Sequence, residues 1–161
     1  MSPEGPWTIL KVIEWSTGFL GEKGIESPKT EVEILLAHAL EMRRIELYVQ
    51  FERVLDNSEL ARFKELLLRR AKREPTAYIL GMREFYGIEF DVDGRALIPR
   101  PETEHLVDRV VHALKGLDEP MVCDLCTGCG NVAVAVAKTV SSARVVATDF
   151  PARLSTLRDR T

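Results

Sequence analysis

Residues 121–149 constrain the fold more than any other stretch of this chain. They run MVCDL, then CTGCG, then NVAVAVAKTVS, and close with ARVVATD. The first and last segments are apolar throughout, as in strands of a parallel sheet that is covered on both faces. Parallel strands need a crossover between them, and the alanine and valine segment supplies a helix. The sequence therefore predicts one βαβ unit with two buried strands and a glycine turn.

Three cysteines lie around this turn, spaced C-x₂-C-x₂-C at Cys123, Cys126 and Cys129. This spacing begins many metal sites, but a closed zinc site needs four ligands and the cluster offers no fourth. The three histidines of the chain lie in predicted helices elsewhere. An odd number of clustered cysteines is no disulfide framework either. We predict no metal site, with the cysteines acting as small hydrophobic or loop residues.

The turn also resembles a nucleotide-type site. Gly128 and Gly130 follow the first strand, and Asp149 closes the second, about twenty residues on. Glycine lets a ligand approach the backbone closely, and the N-terminus of the following helix presents free N–H groups to an anion. A carboxylate at the end of the second strand can accept hydrogen bonds from ribose hydroxyls. Asp124, inside the first strand, needs partners if buried, and loop N–H groups are the expected ones.

Residues 1–74 have helical periodicity and predict an N-terminal helical domain. In WTILKVIEW, an apolar face is formed by Trp7, Leu10 and Ile13 and widened by Ile9 and Val12. The glycines at 18, 21 and 24 predict a loop after it. In SPKTEVEILLAHALEM, Ser27 and Pro28 predict a helix start. Its apolar residues follow the spacing of a buried stripe. These residues are Val32, Leu35, Leu36, Ala39 and Leu40.

Two further helices complete this domain. RRIELYVQF predicts a short one, and DNSELARFKELLLRRAKR predicts a longer one capped near Asn57 or Ser58. The longer helix has a basic outer face, which is either a solvated surface or a docking face for an acidic partner. Pro75 should end it. We predict that residues 75–100 form a β-hairpin linker around the Asp93-Gly94 turn signal.

The net charge, the placement of charged residues and the N-terminal sequence argue against several classes of protein. The net charge of -3 argues against a sequence-specific nucleic-acid binder, which would usually be basic. Charged residues interrupt each apolar stretch too early for a membrane span. The N-terminus, MSPEGPWTILKVIEW, lacks the basic start and apolar core of a signal peptide. We therefore expect no membrane partner and a cytoplasmic protein.

Four motifs carry a resemblance to a known family. REPTAYILG, EFYGIEFDV, ALIPRPETEHLV and DLCTGCG occur in the order and spacing of the HemK-type release-factor glutamine methyltransferases. The resemblance covers nearly all of residues 1–149 and implies an α+β chain. Residues 1–74 would be the helical bundle, 75–100 the hairpin linker and 101–161 an incomplete Rossmann-like domain that binds S-adenosylmethionine. The nucleotide-cofactor dehydrogenases, a more distant alternative, are disfavoured by LIPRPETEHLV.

The resemblance also implies site residues. The methionine end of S-adenosylmethionine would lie on the backbone of residues 127–130, and Asp149 would hold the ribose. The backbone set is Thr127, Gly128, Cys129 and Gly130, and the segment beside the pocket is Arg100, Pro101, Glu102, Thr103 and Glu104. The family's loop usually has the form D-L-G-T-G-S-G, so Cys126 and Cys129 replace a glycine and a serine. A cysteine at position 126 is tolerable there if its φ is negative.

The family methylates the side-chain amide of the glutamine in the Gly-Gly-Gln loop of peptide-chain release factors. Its Asn-Pro-Pro-Tyr motif, which holds that amide, does not occur in these 161 residues. We therefore expect a truncated chain that lacks catalytic residues and is inactive alone. The alternative is a non-catalytic module whose helical domain binds a release factor or the ribosome.

The segment after Asp149, FPARLSTLRDRT, does not match the helix that the family has there. One DNA sequence that encodes this segment, translated again after one base is added in front of it, gives ISREALDVARPN, which resembles that helix. We expect a lost base in or just after the Asp149 codon.

Overall fold

The computed structural model describes residues 5–149, which fall into two compact units, one ending at Leu80 and the other beginning at Gly81. The first unit is helical and the second combines helices with two small sheets, so the predicted α+β class is confirmed. The helices of the first unit are α1 (Ile9–Glu22), α2 (Pro28–Ala39), α3 (Arg44–Val49), α4 (Asn57–Ala71) and α5 (Thr76–Leu80).

Helix α2 lies at the centre of the first unit, where it packs against α1, α3, α4 and α5. Its predicted apolar stripe is confirmed as buried. Val32, Leu35 and Leu36 are fully buried within one core that also takes side chains from the other helices. Burial of these branched side chains is the main stabilising contribution to the unit.

Helix α1 differs from its prediction in length and at one residue of its apolar face. It continues through Gly18 and Gly21, so the loop predicted there is wrong. Glycine costs a helix about 1 kcal/mol, but the buried face of the helix continues to Leu20 and holds it against the core. Ile9, Val12 and Ile13 of the predicted apolar face are buried, whereas Leu10 is 41% exposed, so the prediction is wrong for Leu10.

The N-terminal cap of α4 is Asp56, not Asn57 or Ser58 as predicted. The Asp56 carboxylate accepts hydrogen bonds from the backbone N–H groups of Ser58 and Glu59, at 2.7 and 2.9 Å. The Glu59 carboxylate in turn accepts from the backbone N–H of Asp56 at 3.0 Å. This reciprocal pair is a capping box, which satisfies donors that the helix itself leaves unpaired.

The segment predicted to be the linker begins as a helix. Residues 76–80 form α5 within the first unit, with Ile79 buried in its core. The hairpin follows, with β1 (Met82–Phe85) antiparallel to β2 (Ile88–Asp91).

The hairpin turn lies at Tyr86 and Gly87, not at Asp93-Gly94. Both turn residues have positive φ, 54° and 69°, as a two-residue type I′ turn requires. Asp93 belongs to a separate turn after β2, where its carboxylate accepts from the backbone N–H of Arg95 at 2.9 Å. An aspartate side chain can form such a local turn without any hairpin.

The rest of the second unit contains the predicted βαβ arrangement. A 3₁₀ helix at Pro101–Thr103 leads into α6 (Glu104–Ala113), followed by β3 (Met121–Leu125), α7 (Asn131–Thr139) and β4 (Arg144–Thr148). Strands β3 and β4 pair in parallel, and α7 packs against both strands and against α6.

Burial in this unit is lower than predicted. Met121 and Leu125 of β3 are 75% and 71% exposed, so the prediction of buried strands is wrong for the residues that the structure describes. A parallel sheet is buried only when helices cover both of its faces. Here α7 is the helix that packs against the two strands, so part of their surface stays exposed. On α6, Val107 is buried but Leu106, also predicted to be in the apolar face, is exposed.

Residues 150–161, which carry the predicted shift of reading frame, lie outside the described residues. Among residues 5–149, no helix has the length and apolar character needed to cross a bilayer.

Candidate functional site

The glycine turn joins β3 to α7 at the carboxyl ends of the two parallel strands. The backbone N–H of Thr127 donates to the carbonyl of Thr148 at 3.0 Å, and that of Gly130 donates to the carbonyl of Thr127 at 2.9 Å. The first bond joins the turn to the end of β4, and the second lies within the turn. In open α/β sheets, ligands bind outside the carboxyl ends of the strands, which is where this turn lies.

Three residues of the turn have left-handed backbone conformations. The φ angles of Cys126, Gly128 and Gly130 are 61°, 60° and 83°. A Cβ atom placed on either glycine would meet no heavy atom within 4 Å. The glycines are therefore required by their backbone angles and not by crowding, and the space beside them is open to a ligand.

The positive φ of Cys126 contradicts the condition, a negative φ, under which a cysteine was expected to be tolerable there. A side chain in the left-handed region costs roughly 1–2 kcal/mol, because Cβ crowds the neighbouring carbonyl oxygen. The backbone at this position suits the glycine that the family's loop has. The turn keeps its shape with cysteine, at a cost in stability.

Two carboxylates hold the turn. The backbone N–H of Gly128 donates to Oδ2 of Asp149 at 2.6 Å. The hydroxyl of Thr127 donates to Oδ2 of Asp124 at 2.6 Å. Asp124 was expected to pair with loop N–H groups, so the hydroxyl partner corrects that expectation. Charge-assisted bonds of this kind are stronger than neutral ones, and they place Asp149 directly beside the glycine turn.

The cysteines around the turn are free thiols, with Cys123 and Cys126 exposed. The Sγ of Cys129 lies 3.5 Å from Oδ1 of Asn131, to which it donates. Burial raises the pKa of the Cys129 thiol, which keeps it protonated. Within residues 5–149, no group of three or more His, Cys, Asp or Glu side chains could hold a metal ion.

The segment from Arg100 to Glu104 is held by the hairpin. Oε1 of Glu104 accepts from the backbone N–H of Tyr86 at 2.9 Å, and the Tyr86 hydroxyl donates to Asp108 at 2.8 Å. The structure thus brings Asp124, residues 127–130 and Asp149 together, while the described hydrogen bonds of residues 100–104 run to the hairpin or within the segment. Tyr86 was missed from the sequence, because the sequence signal for a two-residue hairpin turn is Asn-Gly or Asp-Gly and not Tyr-Gly.

Known proteins resemble this chain over most of its length. Residues 11–81 match the family described as the PrmC N-terminal domain. Over 153 residues the chain is 45% identical to the release factor glutamine methyltransferase of Rhodopirellula baltica, covering 92% of this chain and 52% of the relative. Over most of its length, the chain is thus similar to release factor glutamine methyltransferases. The enzyme of that name from Geobacter sulfurreducens is 45% identical over 87% of this chain, and the one from Chlorobaculum tepidum is 38% identical over 94%.

These matches extend through both units and not only through the helical one. The chain spans about half the length of the curated relatives it matches, between 49% and 53% of the three described above.

Proposed function

We propose that the glycine turn and Asp149 bind S-adenosylmethionine, and that the chain belongs to an enzyme that methylates the Gly-Gly-Gln glutamine of a peptide-chain release factor. The observation that carries this proposal is the 2.6 Å hydrogen bond from the backbone N–H of Gly128 to the Asp149 carboxylate. It places the acid proposed to hold the ribose beside the backbone proposed to hold the methionine end. The names of the relatives support the reaction class.

The residues present fit this cofactor. Gly128 and Gly130 leave open space beside the backbone, and Asp149 supplies hydrogen-bond acceptors for ribose hydroxyls. Gly130 caps α7 without a side chain, so the first turn of that helix can face a carboxylate group. When bound, S-adenosylmethionine supplies an electrophilic methyl group on its sulfonium. The contribution of this chain is to bind and orient it. We place Arg100 to Glu104 beside the pocket on the family resemblance.

Methyl transfer also requires that the acceptor be positioned. An amide nitrogen is a poor nucleophile, and holding it in line with the methyl group supplies much of the rate. The family's Asn-Pro-Pro-Tyr motif serves this purpose and does not occur in residues 1–161. We therefore propose that these residues alone do not transfer a methyl group, and that the half of the relatives beyond the matched region is needed for turnover.

A chimera tests this proposal. Residues 1–149 are joined to the corresponding second half of the Rhodopirellula baltica relative, and a release factor is assayed for glutamine methylation by mass spectrometry. We expect methylation by the chimera, loss of it with Asp149→Ala, and none with the 161-residue chain. A chimera that is folded by circular dichroism yet inactive would contradict the proposal.

A second candidate function is suggested by the helical unit. Ile45 and Val49 of α3 and Val54 after it are large apolar side chains that are more than half exposed. Such a surface can serve as a contact for a protein partner. If the helical unit binds a release factor without catalysis, a fragment of residues 1–80 should be retained on an immobilised release factor. Val49→Asp should abolish that retention. Retention of only the complete chain would rule it out.

A further inference from the structure

A cavity of about 370 Å³ lies in the first unit, between α1 and α4 and far in sequence from the glycine turn. Its wall is formed mainly by aromatic and aliphatic side chains. Trp7, Trp15 and Phe19 supply rings, and Phe63 and Leu68 complete the wall from α4. This volume is in the range of small-molecule sites.

The three rings in the wall pack against one another. Trp15 stacks on Phe19 with centroids 5.3 Å apart, and Trp7 meets Trp15 edge to face at 6.0 Å. Trp15 nevertheless remains 45% exposed and Leu68 equally so, which leaves apolar surface uncovered at the mouth. Aromatic rings in these orientations favour further ring contacts in offset or edge geometry.

One polar group in the wall lacks a partner. The hydroxyl of Ser16, whose residue is 1% exposed, finds no hydrogen-bond partner among the described residues. A buried hydroxyl left unpaired is costly, and an acceptor on a ligand would remove that cost. Ser16 is thus a second observation, independent of the cavity itself, that points to a ligand with a polar atom.

The charge at the mouth indicates the sign of that ligand. Lys64 lines the cavity, is exposed, and forms no ion pair within residues 5–149. The Nζ of Lys23 lies 5.8 Å from the centre of the Phe19 ring. Two cations beside an aromatic wall favour an anion with an aromatic body over a neutral or cationic molecule.

We propose that this cavity binds a small aromatic acid. The ligand would be a flat, bicyclic molecule with a carboxylate toward Lys64 and a second polar atom that accepts from Ser16. This site is separate from the proposed cofactor site and does not depend on it.

The two tryptophans of the chain both lie in the cavity wall, so their indole N–H signals in NMR report on this site. The ¹⁵N-labelled 161-residue chain is titrated with 2-naphthoate, a flat bicyclic acid of suitable size. We expect both signals to shift and to saturate at one equivalent. Lys64→Gln should weaken binding roughly twofold to fivefold, as for an exposed ion pair, while Lys72→Gln, directly after the same helix, has no effect.

The role of Ser16 is tested with a second ligand. 6-Hydroxy-2-naphthoate should bind about fivefold more tightly than 2-naphthoate, and Ser16→Ala should remove that advantage. Ser16→Ala should not lower Tm, because it removes an unpaired buried hydroxyl.

Three results would overturn the proposal. The first is the absence of a saturable shift, and the second is an equal effect of the Lys64 and Lys72 variants. The third is that N-acetyl-tryptophanamide binds as tightly as 2-naphthoate, because the cavity would then accept a partner protein's side chain and not an acid.

Discussion

Cys126 is the residue where this chain departs most clearly from what its backbone requires. Its φ of 61° is relaxed only for glycine. Cys126→Gly should therefore raise the free energy of unfolding by up to about 1 kcal/mol, because relief of left-handed strain exceeds the added entropy of glycine in the unfolded state. Urea unfolding measures this. Cys123→Gly, within β3, is the control and should lower stability, so equal effects of the two changes would refute strain at position 126.

Glu33 is a buried carboxylate that makes the first unit sensitive to acid. It is 2% exposed, and it accepts hydrogen bonds from the Tyr48 hydroxyl and, at 2.6 Å, from Arg44. Burial alone would raise the pKa of Glu33, but the bonds from Tyr48 and Arg44 outweigh it and lower that pKa below its usual value. A lowered folded pKa stabilises the fold above the unfolded pKa, near about 4.3, and that stabilisation is lost as the pH falls through the folded pKa.

Glu33→Gln should accordingly reduce the free energy of unfolding at pH 7 by about 2 kcal/mol, the usual value for hydrogen bonds to a charged group. The difference from the parent chain should shrink as the pH falls below about 4.3. Urea unfolding at several pH values measures it, with the exposed Glu14→Gln as the control. A difference that is constant between pH 7 and pH 3.5 would show that Glu33 is not ionised in the folded chain.

At the scale of elements, periodicity predicted α2, α3, α7 and both parallel strands, because each has a regular apolar pattern over its length. The prediction failed where it relied on a single glycine or an Asp-Gly pair as a sign of a loop or hairpin turn. Gly18 suggested a loop, but the buried face of α1 continues past it to Leu20. The Asp93-Gly94 signal marked a turn, but the hairpin uses Tyr86 and Gly87, and only backbone angles reveal this.

The candidate site was predictable to a similar degree. Spacing and resemblance predicted the loop and Asp149, which the structure joins by a hydrogen bond. The Thr127 bond to Asp124 and the left-handed backbone of Cys126 were not, because both depend on how the turn closes in three dimensions.

A glycine inside α1 supplies a test at this scale. Gly18→Ala should raise the free energy of unfolding by about 1 kcal/mol, because alanine is the better helix former and its Cβ would meet no atom within 4 Å. Gly24→Ala is the matched control. Gly24 has a φ of 67° and a Cβ there would lie 3.2 Å from Arg73, so that variant should be less stable than the parent. Thermal unfolding of both variants checks the contrast, and stabilisation by both would contradict the helix bounds.

For the whole molecule, the first unit should fold alone, and its end should be Leu80 and not residue 74. Ile79 is buried in the core of that unit, and Arg69 donates to the carbonyls of Tyr78 and Ile79 at 3.4 Å. A fragment of residues 1–80 should unfold cooperatively by circular dichroism, and one of residues 1–74 should have a lower Tm. Equal Tm values would show that α5 contributes nothing to the unit, and a non-cooperative 1–80 fragment would refute its independence.

The central claim is that the glycine turn and Asp149 form the cofactor site of a methyltransferase. Isothermal titration of the 161-residue chain with S-adenosylmethionine tests it most directly. We expect weak but saturable binding, weakened about tenfold or more by Asp149→Ala because hydrogen bonds to a carboxylate are lost, and unchanged by Asp118→Ala at an exposed acid outside the turn. Binding that is unaffected by Asp149→Ala, or no binding at all, would contradict the account.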